Sequence, residues 1–135
     1  MRMALIDWTV NKLSVNKKVS SGEDANTKGS FRLDVNNSFA QEGKKFFVGF
    51  DLTLDDPDYN LYVDAVYAFE VIEGEITDEF KKSNFPRVNA PAIAFPYLRA
   101  MVSTITLQAG LKAVILPSIN FASREDDEPI VGEKN

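Results

Sequence analysis

Residues 85–121 read FPRVNAPAIAFPYLRAMVSTITLQAGLKAVILPSINF and hold four of the chain's six prolines. Pro96 suits the first turn of a helix, where a missing N–H costs nothing and a fixed φ is already helical. Gly110 suits the position just past the helix end, where a left-handed residue stops the chain. Between them Leu98, Met101, Val102, Ile105 and Ala109 recur at three- and four-residue steps, the apolar face of an α-helix. Pro117, Asn120 and Phe121 then hold the chain extended. The spacing therefore predicts one long helix between two proline-marked segments.

Upstream the period changes from helical to strand-like. From Met3 to Val19 the chain reads as a first strand or two, with Ala4-Leu5-Ile6, then Trp8 and Val10, then Leu13 and Val15, and the alternation changes register near Asn11. A bulge or bend there is predicted. The polar run 20–29 is a loop. Phe31, Leu33 and Val35 form a second strand, which Asn36-Asn37-Ser38 should end in a turn. A third strand covers 46–54, with Phe46, Val48, Phe50, Leu52 and Leu54 on one face. A turn cluster follows over 55–60, then a fourth strand over 61–72. Thr77 is placed to cap a short helix before the organising stretch.

Four strands with short connections, followed by helix, define an α+β fold: a four-stranded antiparallel, Greek-key-like sheet followed by a long helix. No linker divides the 135 residues, so residues 1–123 read as a single domain. Residues 124–135 carry the run Glu125-Asp126-Asp127-Glu128 and are predicted to be a disordered acidic tail.

Composition removes most chemistry. The chain has no histidine and no cysteine, which takes away Ser-His-Asp triads, Cys-His dyads, disulfides and the commonest metal sites. Fifteen basic against twenty acidic side chains give a net charge of −5, which disfavours nucleic acid and anionic membranes. No apolar run has the length of a secretory signal or a membrane span, so a cytoplasmic protein without membrane insertion is expected. Asp56, Asp58 and Asn60 imitate the start of a calcium loop, but Leu61 stands where a glycine is needed and Tyr67 where a bidentate Glu should be. A polar hairpin turn is the reading taken. The glycines are dispersed and build no phosphate loop. No metal, no cofactor and no enzymatic activity are expected.

What remains is apolar surface. Ten Phe, four Tyr and one Trp exceed what one small core needs, and a single helix cannot cover both faces of such a sheet. Something else must cover the remainder.

Asn89, Pro91 and Phe95-Pro96-Tyr97, followed by Pro117-Ser118-Ile119-Asn120-Phe121, resemble the C-terminal half of the SecB family of export chaperones in order and spacing. The resemblance is specific over 85–121 and one of pattern over the strands. It implies an ATP-independent holdase that binds unfolded polypeptides, among them preproteins for export, and assembles as a homotetramer, a dimer of dimers. By residue match it places client contacts on Phe31, Leu33 and Val35, with Phe95, Tyr97 and Phe121 closing the groove or holding the helix. Lys12, Asn16 and Ala65 stand where the family carries acidic side chains for its translocase motor, SecA, with Asp64 the one carboxylate nearby. Motor docking therefore stays open. Two alternatives stand beside the export chaperone: a SecB-like chaperone serving a toxin–antitoxin pair, and a non-catalytic oligomeric scaffold that uses its apolar surface for one folded partner.

Overall fold

The computed structural model describes residues 1–19 and 28–133; most of the loop read over 20–29 lies outside them. The described chain forms β1 (Arg2–Lys17), β2 (Ser30–Phe39), β3 (Lys45–Asp55), β4 (Tyr59–Glu73), α1 (Asp78–Lys82), a wide π-helical turn (Phe85–Asn89), α2 (Ala90–Gln108) and β5 (Ile130–Glu133). One antiparallel sheet has the order β1-β4-β3-β2-β5. Strands β2, β3 and β4 are joined by hairpins, and β1 lies beside β4, which is Greek-key connectivity.

The residues of β1 explain its shape. Leu5 to Trp8 and Val10 to Leu13 are steps of three, so strict alternation would send these side chains to opposite faces. Register shifts between Leu5 and Asp7 and between Val10 and Lys12 absorb one residue each. The bulges at Ile6 and Asn11 thereby keep Leu5, Trp8, Val10, Leu13 and Val15 opposite Phe69, Tyr67, Ala65, Val63 and Leu61 of β4. The change near Asn11 is legible in the sequence; the one at Ile6 is hidden inside an unbroken apolar run.

Strands β3 and β4 alternate as expected. Phe46, Val48, Phe50, Leu52 and Leu54 on β3, and Leu61, Val63, Tyr67, Phe69 and Val71 on β4, form the floor of the core. Helix α2 lies on it through Ala94, Phe95, Leu98 and Val102. At one end Phe80 of α1 packs edge-on against Phe46 at 5.4 Å and parallel to Phe85 at 6.0 Å.

Four expectations are corrected. Strand β2 runs through Asn36-Asn37-Ser38 instead of turning there, because pairing continues to Phe39↔Phe46. Asn37 donates to the Pro86 carbonyl at 2.8 Å. Asn36 fits against Gly49, where an added Cβ would come within 2.5 Å of its amide oxygen. The turn moves to residues 41–44. Helix α2 begins at Ala90, with Pro91 in its first turn and Pro96 inside it. Pro91 takes the role read into Pro96, and burial of Ala90, Ala94 and Phe95 outweighs the cost of the interior proline. The sheet has five strands, not four. The fifth comes from the segment read as a disordered tail: Ile130–Glu133 pair with β2 through Ser30↔Glu133 to Leu33↔Ile130.

Other details agree. Thr77 Oγ1 accepts from the Phe80 N–H at 3.1 Å, capping α1. Gly110, at φ +80°, follows the last turn of α2. Asp56 accepts from the Asp58 N–H at 2.8 Å, so the would-be calcium ligand closes its own hairpin turn. Among the described residues no helix is long and apolar enough to cross a membrane.

Candidate functional site

The covered side of the sheet is covered unevenly. Over β3 and β4 it is sealed by α2, but over β1 it is open: Trp8 is 53% exposed and Leu13 46%. Ile6 and Val10 are exposed beside them. Trp8 stacks on Tyr97 of α2 at 5.3 Å and reaches Tyr67 at 6.4 Å. On α2 itself Ile93, Tyr97, Ala100, Thr104 and Leu107 are exposed at steps of three and four, so the helix presents a second, mostly apolar stripe outward. Ile115, beyond the helix, is exposed as well. An uncovered apolar area spread over a strand and a helix marks an interaction surface.

The side chains singled out in the sequence separate into two groups. Phe31, Leu33, Phe95 and Phe121 are buried within the chain, Leu33 completely. Phe95 and Phe121 meet edge to face at 5.6 Å above Phe50, from which they lie 6.1 and 6.3 Å away. The aromatics that open and close the organising stretch thus clasp α2 onto the sheet. Val35 is half-buried. Tyr97, two residues after Phe95 and so on the far side of the helix, is 48% exposed. Asn89 is exposed and makes no side-chain cap, Pro91 is buried, and Pro96 is exposed.

A contact missed in the sequence ties down the extended segment after α2. Arg99 Nε donates to the Leu116 carbonyl at 3.0 Å. The Ser103 hydroxyl donates to the Val114 carbonyl. Thr106 Oγ1 accepts from the Val114 N–H at 3.0 Å. Arg99, Ser103 and Thr106 are spaced i, i+4, i+7, one helix face. Polar residues at that spacing in an otherwise apolar helix were the available signal. α2 thus holds the extended backbone of residues 114–116 by side-chain hydrogen bonds.

The opposite face of the sheet is different in kind. Asp34, Asp51 and Asp64 lie in register across β2, β3 and β4, with Lys12 of β1 next in the row. Tyr62 donates to Asp51 at 3.2 Å. Burial, and then the Asp51 charge, lift its phenol above the usual range. Arg32 pairs with Asp34 at 3.1 Å. Among the described residues no cluster of acidic side chains is arranged to hold a metal ion.

Comparison with known proteins bears on what such surfaces serve. Among the solved structures that share the fold are two of note. One is a SecB-like chaperone of Mycobacterium tuberculosis in complex with a peptide from the HigA1 antitoxin, with TM-score 0.67 and 14% identity over 87% of this chain and 88% of that one. The other is a protein of unknown function from Streptococcus agalactiae, with TM-score 0.57 and 16% identity over 87% and 98%. At these identities the likeness is one of fold. An uncharacterized protein of Methanocaldococcus jannaschii is 46% identical over 67 residues, half of this chain but only 41% of that protein. The family model of the preprotein translocase subunit SecB matches residues 24–124. With β2, β3, β4, the long helix and most of the chain inside that match, the protein belongs to the SecB family.

Proposed function

We propose that the protein is an ATP-independent chaperone that holds unfolded polypeptides, working as a dimer of dimers. The chaperone reading is carried by the chain's place in the SecB family, and the assembly by the apolar surface one protomer leaves open, on β1 around Trp8 and on the outer stripe of α2. Copies of the chain would cover β1 and α2. Clients would lie where Phe31, Leu33 and Val35 approach the sheet edge, with Tyr97 at a joint between subunits. Affinity then comes from burying client side chains, which depends little on ionic strength.

Aggregation assays test this. At a stoichiometric ratio of tetramer, the protein should slow aggregation of several unrelated unfolded proteins, and moderate salt should not abolish the effect. Failure with every substrate removes the chaperone reading. Activity toward a single folded partner favours the scaffold instead. Preproteins for export are clients of the same kind; the carboxylate row Asp34–Asp51–Asp64 is the surface on which a basic motor segment would dock.

One observation favours a narrower client. The M. tuberculosis chaperone of the same fold was solved with an antitoxin peptide, and the second reading is that this chain guards an unstable antitoxin. A toxin–antitoxin pair in the neighbouring reading frames, with the antitoxin's tail binding more tightly than generic clients, would establish it.

A further inference from the structure

The edge of β2 is half occupied. β5 pairs with Ser30 to Leu33 only, and among the described residues no strand pairs with Asp34–Phe39 on that side. An open edge is a template for another strand. β5 itself has the features of a temporary occupant. It is four residues long and Val131 is 69% exposed. Its ion pair Lys28–Glu133, at 3.8 Å, is exposed on both sides, so it contributes little. The acidic segment before it is moored by Arg87 to Asp126 at 2.8 Å, again near the surface.

β5 also sits as a bound peptide would. Its backbone runs antiparallel to β2, Ile130 packs against the core beside Leu33, and Gly132 lies flat on the Phe31 ring. An added Cβ at Gly132 would come within 2.8 Å of that ring. Between β5 and the segment after α2 is a cleft of about 590 Å³ whose walls include Phe31, Pro117, Ile119 and Ile130. With β5 gone, the ring of Phe31 opens onto this cleft and four more residues of β2 become available for pairing. Main-chain hydrogen bonds then supply sequence-tolerant affinity, and the cleft takes an apolar side chain.

We infer that the β2 edge is a strand-addition site for extended client segments and that β5 is its resident, displaceable occupant. The inference rests on the chaperone reading above and accounts for Phe31 lying under the chain's own β5. Because only the open fraction binds, apparent affinity falls with the population of the β5-bound form.

Two full-length variants test it, using fluorescently labelled, reduced and carboxymethylated α-lactalbumin as the unfolded probe. Arg32 and Val131 are directly opposed and the chain has no cysteine of its own, so Arg32→Cys with Val131→Cys locks β5 by one disulfide. Gly132→Pro removes an N–H and crowds Phe31, releasing β5. The oxidised lock should weaken probe binding about fivefold or more, with recovery on reduction, and Gly132→Pro should strengthen it about threefold. Amide exchange should show those N–H groups of Ser30–Leu33 that point toward β5 deprotected in Gly132→Pro and protected again by the probe. Equal affinity of wild type, lock and release, with the wild type binding well, overturns the strand-addition site and leaves the chaperone reading intact. The same holds if bound probe leaves the β2 amides unprotected. Larger oligomers of Gly132→Pro, seen by light scattering without probe, would replace the client with a second copy of the chain. No binding by any form, wild type included, removes the chaperone reading and this inference with it.

Discussion

Thr106 is a buried polar side chain whose hydroxyl donates, shared between the Val102 carbonyl at 2.8 Å and the Ser103 carbonyl at 3.1 Å, and accepts from the Val114 N–H at 3.0 Å. Thr106→Val keeps the shape but strands the Val114 N–H, so a loss of about 1–3 kcal/mol in urea denaturation is expected, with faster exchange of that amide. An unchanged midpoint would mean that water replaces the hydroxyl. Leu33 is fully buried, so Leu33→Asp should unfold the chain instead of selectively weakening client binding. Tyr67 provides a pH test. Burial pushes its phenol from 10.0 up to about 12. The unfolded chain therefore loses the proton near pH 10, while the folded chain keeps it until about 12. Its contribution is complete below pH 10 and is lost as pH rises from there toward 12. Denaturation free energies should fall over that window, and less steeply in Tyr67→Phe. Parallel pH curves for the two proteins would show that Tyr67 does not govern the alkaline limit.

Among the elements, α2 carries the clearest internal conflict. Pro96 lies inside the helix, where it lacks the N–H that the Ala92 carbonyl would otherwise receive and its ring crowds the preceding turn. The side chain is exposed, so packing does not require it. Pro96→Ala should stabilise the protein by up to about 3 kcal/mol, read as a higher melting temperature. A lower melting temperature would show that Pro96 helps seat Tyr97 on Trp8. β1 makes the complementary case, since its two bulges turn a broken apolar pattern into one continuous face.

At the scale of the whole molecule, the proposed assembly has other copies covering the exposed β1 and α2 surfaces. Trp8→Asp places a charge at the centre of that surface but outside the protomer's own core, since the ring is already half exposed. Wild type should scatter light as a tetramer, and the variant should shift toward the 15.1 kDa protomer while staying folded by circular dichroism. A wild type that is monomeric at micromolar concentration removes the assembly proposal. A variant that stays tetrameric places the interface elsewhere.

The strands, the helix, the Thr77 cap and the bulge at Asn11 were legible in the sequence because each depends on neighbours within a few residues: alternation, a three-to-four period, a capping hydroxyl. The SecB resemblance was legible because Asn89, Pro91, Phe95-Pro96-Tyr97 and Pro117 to Phe121 keep their spacing. Local signals misled where a distant contact outweighed them. Asn36-Asn37-Ser38 looked like a turn but remain in β2, held by Pro86 and by the space at Gly49. Pro96 looked like a helix start, yet burial of Ala90 and Ala94 carries α2 further back. The same limit applies to the surface. Composition showed an excess of aromatics, but only tertiary packing decides that Phe95 and Phe121 meet over Phe50 while Tyr97 turns outward to Trp8. The acidic terminal segment lacked enough apolar residues to predict order; Ile130–Glu133 nevertheless form a strand, because β2 offers an unpaired edge that their own sequence cannot reveal.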